Sequence, residues 1–112
     1  MKRVYVAGKL NADAPNYIKN CHVMIRVADR IRRKGFSVFV PCLDFLSGLV
    51  CGDYEYKDYF ENNMPWLECA EYMFVCKNYE SSVGTKREIE HAKGKGIKVV
   101  YSIVELLKAE AK

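Results

Sequence analysis

Two kinds of apolar pattern alternate along this chain: short unbroken runs, and longer stretches in which apolar residues recur every third or fourth position. Residues 3–7 (Arg3, Val4, Tyr5, Val6, Ala7) form the first run and predict a strand that ends at Gly8. A loop holding Asn11, Asp13 and Pro15 follows. From Asn16 to Lys34, the residues Tyr17, Cys21, Met24, Ile25, Ala28 and Ile31 mark the stripe of a helix packed on one side. Arg30, Arg32, Arg33 and Lys34 crowd its last turn and Gly35 closes it, as the helix dipole and a glycine C-cap favour. The basic run also suits a phosphate patch, but a solvated helix end explains its position without a ligand.

Phe36 to Val40 predicts a second strand, stopped by Pro41. Residues 42–56 mix Gly48, Gly52, Asp44 and Asp53 with Leu43, Phe45, Leu46, Leu49 and Val50, and read as the longest irregular segment, placed where a lid or substrate loop belongs. Residues 57–69 read as a helix interrupted at Pro65, which is expected early in a new turn. A third strand at 71–76, a loop at 77–83 and a helix over about 86–95 follow, the helix ended by Gly94 and Gly96. Residues 97–101 predict the fourth strand and 103–110 a closing amphipathic helix.

Strands alternating with helices imply a parallel sheet covered on both faces. At 112 residues a single α/β domain over 1–112 is expected, and right-handed crossovers favour a three-layer Rossmann- or flavodoxin-like fold of about four strands in the order 2-1-3-4. The chain then reverses direction between strands one and three, and a ligand belongs outside their carboxyl ends. Gly8, Lys9 and the 78–88 segment converge there.

Composition narrows the partner. Half of the 112 residues are hydrophobic, as in ordinary globular proteins. The net charge of +4 suits an anionic small molecule and falls short of a nucleic-acid binder. No apolar run approaches the ~20 residues that span a bilayer. The first strand starts within three residues of Met1, so no signal peptide is expected and the cytoplasm is the expected compartment. Cys21, Cys42, Cys51, Cys69 and Cys76 form no CxxC pair, and His22 and His91 form no HExxH or HxxxH arrangement, so neither a metal nor another cofactor is expected. Cys21, Cys69 and Cys76 lie on apolar faces and are expected in the core.

The segment Ser82-Val83-Gly84-Thr85, leading to Glu88, carries the most specific chemical signal. Together with Val4-Tyr5-Val6-Ala7-Gly8, Arg32-Arg33-Lys34-Gly35-Phe36, Val38-Phe39-Val40-Pro41 and Gly96-Ile97-Lys98-Val99, it resembles the nucleoside 2-deoxyribosyltransferase superfamily. The likeness is nearest to that superfamily's small, uncharacterised phage and bacterial branch, and the superfamily includes the deoxynucleotide N-hydrolases. The resemblance implies cleavage of an N-glycosidic bond in a nucleoside or nucleotide, with Glu88 and Tyr5 as the catalytic pair. Glu88 would be the nucleophile and the Tyr5 hydroxyl would orient it. Ser82 would help hold a phosphate, with Gly84 and Thr85 beside it. The same resemblance implies a homodimer or higher oligomer. Where the superfamily has an aspartate against the leaving base, this chain has Asn63, which hydrogen-bonds a base but cannot protonate it. Asp44, Asp53 and Asp58 are the substitutes in reach of sequence reasoning, and Asp44 is counted among the substrate-binding residues.

The bland readings stand beside these. Thr85-Lys86-Arg87-Glu88 fits a capping box, in which Thr85 is the N-cap and Glu88, in the first turn, reaches back to its backbone. Tyr5 on a buried strand suits the core, as does Trp66, and Tyr54, Tyr56, Tyr59 and Phe60 suit packing as well as base stacking. A nucleotide-binding module lacking acid catalysis is the second expectation for function. An interaction protein using the 42–56 loop is the third.

Overall fold

Four short apolar runs become four parallel strands: β1 (Arg3–Ala7), β2 (Ser37–Phe39), β3 (Tyr72–Val75) and β4 (Lys98–Val100), in the spatial order β2-β1-β3-β4. The computed structural model describes residues 1–10, 14–52, 54–77 and 79–111, without the side chains of Leu43, Asp44, Phe45 and Leu49. The helices are α1 (Ala14–Arg33), α2 (Asp44–Cys51), α3 (Tyr56–Glu68), α4 (Val83–Gly94) and α5 (Ile103–Ala111), with single 3-10 turns at Pro41–Leu43 and Tyr79–Ser81.

The alternation of side chains along the strands splits the interior in two. Val4 and Val6 of β1, with Tyr72 and Phe74 of β3, pack against α1 and α5 through Met24, Ala28, Ile31 and Leu106. Tyr5 and Ala7, with Met73 and Val75, face α3 and α4 through Met64, Leu67, Ile89 and Ala92. The result is a three-layer α/β fold. Gly35, at φ 98°, follows the end of α1, and Gly96, at φ 74°, follows α4, the left-handed backbone that glycine adopts without a side-chain penalty.

Several local expectations are corrected. Residues 42–56 are largely helical rather than irregular, because α2 supplies two turns and its Gly48 is buried, with the Tyr59 hydroxyl filling the space a Cβ would take. Glycine serves close packing there. Pro65 does not break α3 but sits inside it, exposed, leaving the Glu61 carbonyl without its i+4 amide donor. Trp66 is 56% exposed instead of anchored in the core, and Cys69 at the end of the same helix is exposed too. On α1, Val27 is buried where Ile25 was expected, because Val27 completes the stripe with Met24, Ala28 and Ile31 while Ile25 turns outward. No described helix is long and apolar enough to cross a membrane.

Candidate functional site

β1 and β3 are hydrogen-bonded neighbours, with Ala7 opposite Val75, and the chain leaves them toward opposite flanks of the sheet. Beyond their carboxyl ends lies a cavity of about 520 Å³, within the range that holds a small organic ligand. Its floor is the β1 exit (Ala7, Gly8, Lys9), and one wall is the start of α4, from Ser82 to Glu88. α3 supplies Phe60 and Asn63. A side chain at Gly8 would crowd its neighbours, since a Cβ would lie 3.1 Å from that of Cys76 and 3.3 Å from the Met24 sulfur. Burial pushes the Cys76 thiol up to about 11, so the sulfur behind Gly8 is a neutral packing group.

Glu88 lies one turn deeper in α4 than expected. The helix begins at Val83, and its N-cap is Ser82, whose hydroxyl oxygen accepts from the Thr85 amide at 3.1 Å and from the Thr85 hydroxyl at 2.9 Å. The Thr85–Glu88 capping box therefore does not form. Glu88 is instead in the second turn, and its carboxylate oxygen accepts a hydrogen bond from the Tyr5 hydroxyl at 2.7 Å. The two residues are 83 positions apart in sequence. Burial raises the Glu88 carboxyl to about 7, against the opposing pull of the Tyr5 hydrogen bond. At neutral pH the carboxyl is poised between its two forms.

The remaining residues divide cleanly. Gly8, Lys9, Asn63, Ser82, Gly84 and Thr85 all line the cavity. Asn63 is buried, and its side-chain oxygen accepts from the Asn62 amide at 3.3 Å. Asp58 is turned away from the chemistry, because its carboxylate accepts from the Glu55 amide at 2.8 Å at the start of α3. Asp53 and the side chain of Asp44 lie outside the described residues, as do Asn11, Asp13 and Asn78. The basic run at the end of α1 stays a helix end, with Arg33 paired to Asp29 at 2.9 Å.

The aromatic cluster contributes more than packing. Tyr54, Tyr56, Tyr59 and Phe60 all line the cavity, with Tyr54 and Tyr56 exposed at its mouth. The Tyr56 hydroxyl donates to the Gly84 carbonyl at 3.1 Å, and its ring lies so close that a Cβ on Gly84 would be 2.8 Å from it. Burial, then the Glu88 charge, push the Tyr56 phenol up to about 12, which keeps it a donor. Arg87 also lines the cavity, with its guanidinium 5.6 Å from the Tyr56 ring centre. In the sequence the charged pair Lys86-Arg87 at the head of a helix reads as either a phosphate contact or a pocket filler, and the structure puts Arg87 in the cavity lining.

Chemically, the arrangement offers one desolvated carboxylate aimed by a phenol, an adjacent helix N-terminus, two cations (Lys9 and Arg87) and aromatic rings at the rim. Among the described residues no cluster of three or more His, Cys, Asp or Glu side chains is placed to hold a metal ion. Neither a curated protein nor a solved structure matches the chain. One family model does, over residues 2–101, and its description is Domain of unknown function (DUF4406).

Proposed function

We propose, for a chain that belongs to the DUF4406 family and whose family description names no activity, that it cleaves or exchanges the N-glycosidic bond of a nucleoside or nucleotide by double displacement at Glu88. The observation that carries the reading is the 2.7 Å hydrogen bond from Tyr5 to a desolvated Glu88 carboxylate beside a ligand-sized cavity. Loss of a base from a sugar carbon develops positive charge on the sugar, which a carboxylate stabilises and then captures as a glycosyl ester. Water attacking that ester gives hydrolysis, and a second base gives exchange, with retained configuration in both.

The surroundings fit the roles. Tyr5 leaves one carboxylate oxygen engaged and the other available for attack. The aromatic rim suits a planar base, and Asn63 presents an amide to a base edge. Lys9, Arg87 and the backbone amides that open α4 suit an anionic substituent on the sugar. Likeness to the superfamily supports a homo-oligomer as part of the same proposal.

A second reading has its own observation. No lining carboxylate other than Glu88 is found among the described residues, and Asn63 stands where the superfamily has an acid. On that ground the chain is a nucleotide-binding module without leaving-group protonation. Incubation with deoxynucleosides and their 5′-monophosphates, with and without a free acceptor base, separates the readings by chromatography of the bases. Base release or exchange that vanishes in a folded Glu88→Ala variant supports the enzyme. Saturable binding without turnover supports the module, and neither binding nor turnover removes both.

A further inference from the structure

Gly84 stands in the first turn of α4 with no positive φ to call for glycine, at a place where alanine would be the better helix former. What requires it is Tyr56, the first residue of α3. A Cβ on Gly84 would lie 2.8 Å from a carbon of that ring, so the ring takes the space of the missing side chain. Its hydroxyl then donates to the Gly84 carbonyl at 3.1 Å. Side chains on a helix lean toward its N-terminus, and residues four apart share a face, so Glu88 reaches back over the turn that holds Gly84. The Tyr56 ring is seated on that same turn, at the cavity mouth, and its phenol feels the Glu88 charge.

We propose that Tyr56 is a positioning residue, a cover that keeps water from Glu88 on the mouth side and so favours a base over water as the acceptor of the sugar. The second half of the proposal rests on the reading of Glu88 as the reacting group. Core packing does not account for the fit, because Tyr56 is 42% exposed. The ring lies against Phe60, with centroids 5.9 Å apart, and carries the Arg87 guanidinium 5.6 Å from its centre, so both helices steady it. In hydrolysis a water oxygen bonds to the sugar carbon as the carbon–oxygen bond to Glu88 breaks. The carboxylate leaves with that electron pair, and the surplus proton of the water passes to it or to solvent. In exchange a ring nitrogen of the acceptor base makes the same attack and gives up its own proton. A cover that holds water out slows only the first of these. The titratable groups around Glu88 among the described residues are Tyr5 from β1, Lys9 at the β1 exit, Tyr54, Tyr56 and Tyr59 at the α3 wall, and Arg87 on its own helix.

The test follows the Glu88 carboxyl by carbon NMR on glutamate-labelled protein between pH 4 and 9, with Glu88→Gln assigning the signal. Tyr56→Leu is expected to lower the midpoint by about half a pH unit or more, as water reaches a carboxyl that burial had raised. Tyr56→Phe, which keeps the ring and loses its tie to Gly84, gives a smaller fall. Gly84→Ala evicts the ring and lowers the midpoint as Tyr56→Leu does, and the double variant falls no further than either alone. The fall persists beside Arg87→Gln, which removes a freed guanidinium as its cause. Leu107→Ala, exposed on α5 across the sheet, is the control that leaves the midpoint unchanged. On any deoxynucleoside or 5′-monophosphate the wild type turns over, Tyr56→Leu and Gly84→Ala shift the products from exchanged nucleoside toward free sugar. A midpoint that stays put or rises in Tyr56→Leu, a further fall in the double variant, or a fall that needs Arg87 overturns the cover. An unchanged product ratio in an active protein overturns its part in choosing the acceptor. The titration needs no substrate, so absence of turnover in the wild type defeats the glycosyl-transfer reading while the midpoints still decide for or against the cover.

Discussion

Replacing Glu88 by Gln tests the site without knowing its substrate. Glutamine keeps the shape of the side chain and an oxygen that accepts from Tyr5, and it removes only the charge. The carboxyl is raised from 4.5 to about 7 by burial, so the folded protein holds its proton more tightly than the unfolded chain does. The stability that comes from the protonated form is fully present below about 4.5 and is lost as pH rises through about 7. Integrated over that window, the rise corresponds to about 3 kcal/mol, a large part of a small domain's total. Wild type and Glu88→Gln should therefore unfold almost alike at pH 4, while at pH 9 the variant should be the more stable by about 3 kcal/mol. Urea denaturation of both proteins at intervals across that range measures the difference, and every other titrating group cancels between them. A difference that does not change with pH, or a variant that is weaker at pH 9, would falsify the burial of an ionisable carboxyl on which the site depends.

Three further outcomes follow from the same geometry. Tyr5→Phe removes the hydrogen bond that holds the Glu88 carboxyl down, so its midpoint should rise above 7 and the acid limb of any pH–rate profile should move up with it. Ser82→Ala should cost about 1 kcal/mol of stability in urea denaturation, because it removes the N-cap of α4. Glu71 behaves in the opposite sense to Glu88: its hydrogen bonds with Arg3 hold its carboxyl down to about 2, so the stability it gives is present above about 4.5 and is lost as pH falls toward 2. Acid titration of the unfolding midpoint should show that loss in wild type, and Glu71→Gln should lack it.

The large-scale order was legible in the sequence because it is written in local patterns. Short apolar runs gave strands, three-and-four spacing gave helices, and their alternation left few arrangements besides a parallel sheet ordered 2-1-3-4. Gly8, Lys9 and the 82–88 segment could be gathered at one end of that sheet before any coordinates, since strand ends at a topological switch converge. The misreadings came where one residue type serves two purposes. Gly48 helped residues 42–56 read as irregular, and it is a close-packing residue beneath the Tyr59 hydroxyl. Pro65 looked like a break and is carried within a continuous helix at an exposed position. Ser82 and Thr85 are both good caps three residues apart, and only the true start of α4 decides between them. Trp66 looked like core because of its size, yet its ring lies on Phe39 at the sheet edge. Contacts such as Tyr5 with Glu88, 83 residues apart, have no period to betray them, and here only the resemblance paired them in advance.

The division of the interior by the sheet means that neighbours in sequence answer to different demands. Val4 and Val6 look away from the cavity, toward α1 and α5, while Tyr5 and Ala7 look toward it. Someone redesigning this protein could harden one hemisphere, refilling the α1–α5 side with bulkier or better-fitting side chains, and leave the reactive hemisphere untouched. Substitution tolerance along β1 should accordingly rise and fall with every step, as though two proteins shared a single backbone.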